Sequence, residues 1–177
     1  MVEERKPEKV SRDQEIETLF RLHFARMRHL ATLMIGNREV AEEIAMEAFV
    51  RTLAKWGRSS TIDRPEPYIR MTVINLCRSR WRRSRIEAQA RLAQFTRVSE
   101  RDDAVEVDSA VAVRQAIRSL PPRQRACVVL RYFEDLSDEE ISEALGCSTG
   151  TVKSQLSKAR GKLYSELDQN STGATHV

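Results

Sequence analysis

The chain has 177 residues, 41% of them hydrophobic, 32% charged and only 6% aromatic, which suits two small helical domains better than one large core. Its formal net charge of +4 comes from one segment: residues 64–91 hold 8 Arg/Lys against 2 Asp/Glu, while residues 1–63, 92–120 and 121–177 are each within one charge of balance, the footprint expected of a surface for phosphate or another polyanion. No apolar run approaches the roughly 20 residues that span a membrane, the amino terminus lacks a secretion signal's apolar stretch, and Cys77, Cys127 and Cys147 have no disulfide or zinc spacing, so a cytoplasmic protein with reduced thiols, no membrane insertion and no cofactor is expected.

Residues 1–12 are too polar to predict order, and a helical pattern begins near Asp13, with Ile16, Leu19, Phe20, Phe24 and Met27 on one side, continuing to Gly36. A second helix is predicted from about Val40 to Trp56. GRSSTIDRPEPY, Gly57 to Tyr68, is rich in turn residues and reads as a rigid loop feeding the third helix, YIRMTVINLCRSRWRRSR. The acidic stretch from Glu87 to Asp108 reads as a flexible linker between the domains. Beyond it come a helix near Ser109–Leu120, a break at LPPRQR where Pro122 starts another helix through Phe133, and a final pair of helices. The last residues, 168–177, are expected to fray.

That final pair lies in SDEEISEALGCSTGTVKSQLSKARGKL, Ser137 to Leu163. Ser137 and Glu140 have capping-box spacing, Gly146 suits a left-handed helix stop, and Ser148 can cap the next helix. The pattern is helix, tight turn, helix. At ~100° per residue Val152, Leu156, Ala159 and Leu163 share one side of the second helix, leaving Ser154 and Ser157 opposite, flanked by Lys153 and Lys158. A DNA-reading helix is laid out this way, with its amino-terminal turns in the major groove, lysines on phosphate or guanine, and hydroxyls at base edges. A helical hairpin with a solvated face has the same pattern, and on this stretch alone the two readings carry equal weight.

The third helix separates them. Its core side is Ile69, Val73, Leu76 and Cys77, and the opposite side carries Asn75, Arg78, Ser79 and Arg82, with Trp81 and Tyr68 nearer the borders. Arginines neutralise phosphates and flat side chains stack on unpaired bases, so this face suits nucleic acid. A solvated arginine-rich helix end or an acidic protein partner would also fit it, were there not a second DNA-like helix in the same chain.

The helix Val40–Trp56 has a core stripe of Ala41, Ile44, Ala45, Ala48, Phe49 and Trp56. Met46, Val50 and Leu53 recur on another side, beside Glu42, Glu43 and Glu47. A second apolar stripe rimmed by acids suggests docking against a partner, although burial on two sides within its own domain would leave the same pattern. His23, His29 and His176 have no matching ligands, phosphate-binding glycine loops are absent, and no nucleophile is nominated, so an enzyme is not expected.

EVAEEIAMEAFVRTLAKW, RPEPYIRMTVINLCRSRWRR and LPPRQRACVVLRYFEDLSDEEISEALGCSTGTVKSQLSKARGKL, in this order and spacing, resemble the extracytoplasmic-function sigma factors, the compact two-domain specificity subunits of bacterial RNA polymerase. The resemblance covers roughly residues 13–167, and the arginine-rich composition gives it an actinobacterial look. It implies an all-α fold: a region 2 domain over 13–86, a linker over 87–108 and a region 4 helix-turn-helix domain over 109–167. It further implies that Glu43, Met46, Glu47, Val50 and Leu53 dock on the clamp coiled coil of core RNA polymerase. Asn75, Arg78, Ser79 and Arg82 would hold the melted −10 element, while Thr151, Lys153, Ser154, Ser157 and Lys158 would read the −35 duplex. The implied partners are core polymerase, promoter DNA and, where one exists, an anti-sigma factor. The chain departs from the family at Met46, where a polar residue is usual.

Two other classes compete. A helix-turn-helix regulator that is not a polymerase subunit would share the carboxy-terminal helices, but it needs a ligand-binding or phospho-acceptor domain that the first 86 residues do not suggest. An adaptor that binds no DNA would explain the apolar stripe but neither of the two polar faces.

Overall fold

The computed structural model describes residues 12–58, 64–92 and 109–172, and among them every regular element is helical. The seven helices are α1 (Arg12–Ile35), α2 (Arg38–Arg58), α3 (Pro65–Leu92), α4 (Ser109–Ser119), α5 (Pro122–Tyr132), α6 (Asp138–Leu145) and α7 (Thr149–Thr172). The amino-terminal residues 1–11, residues 59–63 of the expected Gly57–Tyr68 loop, 93–108 of the expected linker and the terminal 173–177 lie outside the described residues.

The first three helices form one bundle. α1 buries Leu19, Met27, Leu30, Ala31, Leu33 and Met34, the three-and-four spacing that places side chains on one face. It ends where Gly36 takes a left-handed φ of 85° and donates its N–H to Thr32 O at 2.8 Å. Asn37 then caps α2, its Oδ1 accepting the Val40 N–H at 2.9 Å. The predicted α2 stripe from Ala41 to Phe49 is buried, and Thr52 joins it because its hydroxyl donates to Ala48 O at 2.7 Å. Phe20 stacks on Phe24 with ring centroids 4.4 Å apart, and both meet Phe49 edge-on, tying the start of α1 to α2.

Several helix boundaries differ from the sequence expectation. α3 starts at Pro65, inside the expected loop, because proline has the φ of a first helical turn and no N–H to lose there. It also continues through residues 87–92 of the expected linker, where Glu87, Ala88, Gln89, Ala90, Arg91 and Leu92 are all adequate helix formers. The same holds at the far end, where α7 runs to Thr172, past the expected start of fraying at 168.

The second bundle is α4 to α7. Pro121 and Pro122 turn the chain between α4 and α5, with Pro122 in the first helical position. α6 opens on a complete capping box at Ser137 and Glu140 and closes on Gly146 at φ 61°. The Ser148 Oγ accepts the Thr151 N–H at 3.2 Å, so α7 is capped as its sequence predicts. Val152, Leu156 and Ala159 are buried with Ile141 and Ala144 of α6 and the apolar side of α5.

The bundles are not held apart. α1 packs on α4 and α5, α3 packs on α6, and one buried apolar cluster runs through both from Leu19 to Ala159. No helix among the described residues is long and apolar enough to cross a membrane.

Candidate nucleic-acid and polymerase interfaces

Three surfaces carry the residues singled out in the sequence. On α7, Lys153, Ser154, Ser157 and Lys158 are exposed and Thr151 is half-buried, on the side opposite the buried Val152, Leu156 and Ala159. The local bonding of this turn defines what each hydroxyl can still do. Ser154 Oγ donates to Thr151 O at 3.1 Å, which uses its single proton and leaves its lone pairs outward as acceptors. Thr151 Oγ1 lies 2.9 Å from Ser148 Oγ, so it is braced against the cap. Lys153 and Lys158 extend from the edges of this face as mobile point charges suited to phosphate.

On α3, Asn75 and Arg82 are exposed, whereas Arg78 and Ser79 are half-buried. The buried side is wider than its sequence stripe: Ile74 is as enclosed as Ile69, Val73 and Cys77, because α3 packs on α1, α2 and α6 at once. Arg78 has partners already. Its Nη1 donates to Asn75 Oδ1 at 3.3 Å and to Ala144 O of α6 at 2.9 Å. Tyr68 is likewise engaged, with the Lys55 ammonium 4.5 Å from its ring centroid, which pins the start of α3 to the end of α2.

The α2 surface is different in kind. Met46 and Val50 are 44% and 57% exposed, Leu53 is half-buried, and Glu42, Glu43 and Glu47 stand exposed around them. Glu47 accepts a bond from Arg51 at 2.5 Å on the same face. The pair Met46 and Val50 therefore sits in water with an acidic rim, while the core stripe one face away is fully enclosed. The side chain of Trp56, expected in that core, lies outside the described residues.

Where α3 meets the second bundle, a cavity of about 720 Å³ opens between Arg78, Trp81 and Arg82 on one side and Cys147, Thr151 and Gln155 on the other. The structure thus brings part of the α3 face and the first turn of α7 to a common cleft, and keeps the α2 stripe away from it. Gln155 and Arg123 also line the cleft, and nothing in their sequence neighbourhood sets either apart from the polar residues around it.

No group of three or more His, Cys, Asp or Glu side chains that could hold a metal occurs among the described residues. Burial pushes the thiols of Cys77 and Cys127 up to about 12, so both stay protonated and unreactive near neutral pH.

Residues 19–86 match the family model of sigma-70 region 2, and residues 110–163 that of sigma-70 region 4. The chain is 32% identical over 156 residues to the RNA polymerase sigma-E factor of Streptomyces avermitilis, covering 85% of this chain and 87% of that one. It is 30% identical over 157 residues to the ECF RNA polymerase sigma factor SigM of Mycobacterium tuberculosis, covering 89% and 79% of the two chains. Among solved structures it is similar in fold to the sigma factor RpoE of Bartonella quintana, crystallised with the anti-sigma factor NepR, at a TM-score of 0.64 and 20% identity over 88% of this chain and 98% of that one.

Proposed function

Because the chain belongs to the extracytoplasmic-function family of RNA polymerase sigma factors, we propose that its three surfaces divide the work of promoter-specific initiation among them. The exposed Met46 and Val50 of α2, with Leu53 and the rim of Glu43 and Glu47, dock on the clamp coiled coil of core polymerase. An apolar pair gains from leaving water, and the acidic rim selects a basic partner surface and orients it.

The −10 and −35 elements need different chemistry. α3 offers Asn75, Arg78, Ser79 and Arg82 to the non-template strand after melting, where phosphate charge and base edges are both accessible. α7 enters the duplex major groove at −35, with Lys153 and Lys158 on phosphates and Thr151, Ser154 and Ser157 toward the groove floor. The acceptor left on Ser154 favours a base that presents an amino group, cytosine or adenine, in the major groove. RNA synthesis itself stays with the polymerase.

The observation that carries this reading is the capped turn at Ser148 followed by a helix whose outer face is Lys153, Ser154, Ser157 and Lys158 over a fully buried Val152 and Ala159. Its test is to add the purified chain to sigma-free core polymerase with fragmented genomic DNA and map the 5′ ends of the transcripts. Initiation confined to a set of sites sharing two spaced sequence elements is expected. Transcripts with random starts, or none, would sink the proposal and return the chain to the class of DNA-binding regulators outside the polymerase.

A further inference from the structure

Three arginines converge on the cleft of about 720 Å³, Arg78 and Arg82 from α3 and Arg123 from the first turn of α5, and no Asp or Glu lines it. Among the described residues no carboxylate pairs with any of the three, whereas Arg26, Arg28, Arg51, Arg70 and Arg131 each meet one. Like charges facing one concave space repel each other and focus a positive potential there, so the cleft is stabilised by taking up an anion.

One of these cations is already fixed in position. Arg78 Nη1 donates to Ala144 O at 2.9 Å, and its Nη2 lies so close over the α6–α7 turn that a Cβ on Gly146 would be 2.5 Å from it. α5 adds the positive end of a helix beside Arg123, since it starts at Pro121 with no side chain capping its first N–H groups. Charge alone would suit inorganic phosphate, but the rest of the lining is of another kind. Trp81, half-buried against the core, brings an indole on which a flat ring can stack, and Pro121, Pro122, Ala126 and Leu145 give an apolar wall. The Gln155 amide, which can both donate and accept, stands at the edge of the same space.

We infer that this cleft is a binding site for a free purine nucleoside diphosphate, its phosphates among Arg78, Arg82 and Arg123 and its base against Trp81. Two linked phosphates carry roughly three negative charges near neutral pH, which matches three guanidiniums. The volume lies within the range of about 300–1,000 Å³ usual for small-molecule sites, and an apolar wall with a few convergent polar groups is their usual lining. An occupant would cover Arg78, Arg82 and Thr151. On the reading of α3 and α7 as DNA faces, on which this consequence rests, nucleotide and promoter then compete, and the chain has a small-molecule input of its own.

The cleft contains its own reporter. Cys147 is half-buried in its wall, whereas Cys77 and Cys127 are enclosed with thiols raised to about 12, so alkylation of the full chain by iodoacetamide, located by peptide mass spectrometry, reads the cleft at Cys147. Saturating ADP should slow that alkylation roughly five-fold or more, while adenosine and pyrophosphate, each with only part of the contacts, should need roughly ten-fold higher concentrations. Arg123→Ala, at an exposed position outside both proposed DNA faces, should keep its helicity by circular dichroism and weaken ADP protection roughly ten-fold, with Arg123→Lys intermediate. No protection by ADP overturns the site, and so does wild-type protection in a folded Arg123→Ala chain. Pyrophosphate as effective as ADP would mean an adventitious anion patch only. A short single-stranded DNA that protects Cys147 where ADP does not would make the cleft part of the strand-holding face and overturn the free nucleotide. Protection by ADP with undiminished binding of that strand supports the site and removes the competition, and failure of the chain to initiate with core polymerase would overturn the sigma-factor surfaces while the protection result stands.

Discussion

Ser137 and Glu140 cap each other: the Ser137 N–H donates to Glu140 Oε2 at 2.8 Å, and the Glu140 N–H donates to Ser137 Oγ at 3.1 Å. The backbone bond from Ser137, with a smaller contribution from its side chain, lowers the Glu140 pKa from its ordinary 4.5. A carboxylate depressed in the folded state stabilises it above the unfolded pKa, and that stabilisation is lost as pH falls through the lower folded value. Glu140→Gln should therefore be less stable than the wild type at neutral pH, with the gap closing as the solution is acidified below 4.5. Urea unfolding across that range measures it. A gap independent of pH would mean that the box acts through shape alone.

Polymerase affinity should depend on two side chains that the fold does not need. Met46 and Val50 are substantially exposed, so replacing both with Asp should leave helicity and melting temperature nearly unchanged. Binding to core polymerase should weaken by more than ten-fold, about 1.4 kcal/mol, because unpaired charge would be buried in the docking site. A folded double variant with wild-type affinity would move the clamp contact off this face of α2.

Melting and duplex binding should separate on α3. Arg82→Ala and Asn75→Ala, both at exposed positions, are expected to reduce open-complex formation several-fold while leaving binding to an isolated −35 duplex unchanged. Permanganate footprinting of the melted region, run beside a duplex gel-shift, compares the two. Equal losses in both assays would contradict the division of labour between α3 and α7.

On α7 the test separates contacts that position from contacts that specify. Lys158→Ala should weaken binding to all −35 duplexes alike and reduce the slope of log affinity against log salt by about 0.9, one phosphate's worth. Ser154→Ala should instead change the ranking among −35 variants, since its free lone pairs are the outward acceptors. Salt titrations over a panel of single-base −35 variants provide both numbers. If Lys158→Ala shifts the ranking and Ser154→Ala does not, the helix lies rotated in the groove.

The features legible in the sequence are those written in neighbouring residues. Ser137, Glu140, Gly146 and Ser148 each act within a few positions of themselves, so the turn between α6 and α7 could be read before any packing was known. The buried stripes of α2 and α7 were legible for the same reason, as the core spacing is local. The Arg26–Glu134, Arg118–Gly36 and Arg78–Ala144 contacts join residues 108, 82 and 66 positions apart, and no local pattern distinguishes those arginines from solvated ones. Glu134 sits between Phe133 and Asp135 in a stretch that could equally have been surface. The early start of α3 was missed because prolines at 65 and 67 break a helix when inside it but favour its first turn.

The spacing of those contacts has a consequence for the chain during its own synthesis. A protein emerges from the ribosome amino end first, and domains fold as units as they appear. α1, α2 and α3 can assemble around Phe49 and Val73 while Glu134, Arg118 and Ala144 are still untranslated, so the nascent first bundle passes through a period with Arg26, Arg70 and Arg78 uncovered. Docking of the bundles is then the last folding event, with the largest loop to close, and it follows release of the carboxy-terminal helices from the exit tunnel. A molecule refolded from denaturant has no such order, because both sides of those contacts are present from the start.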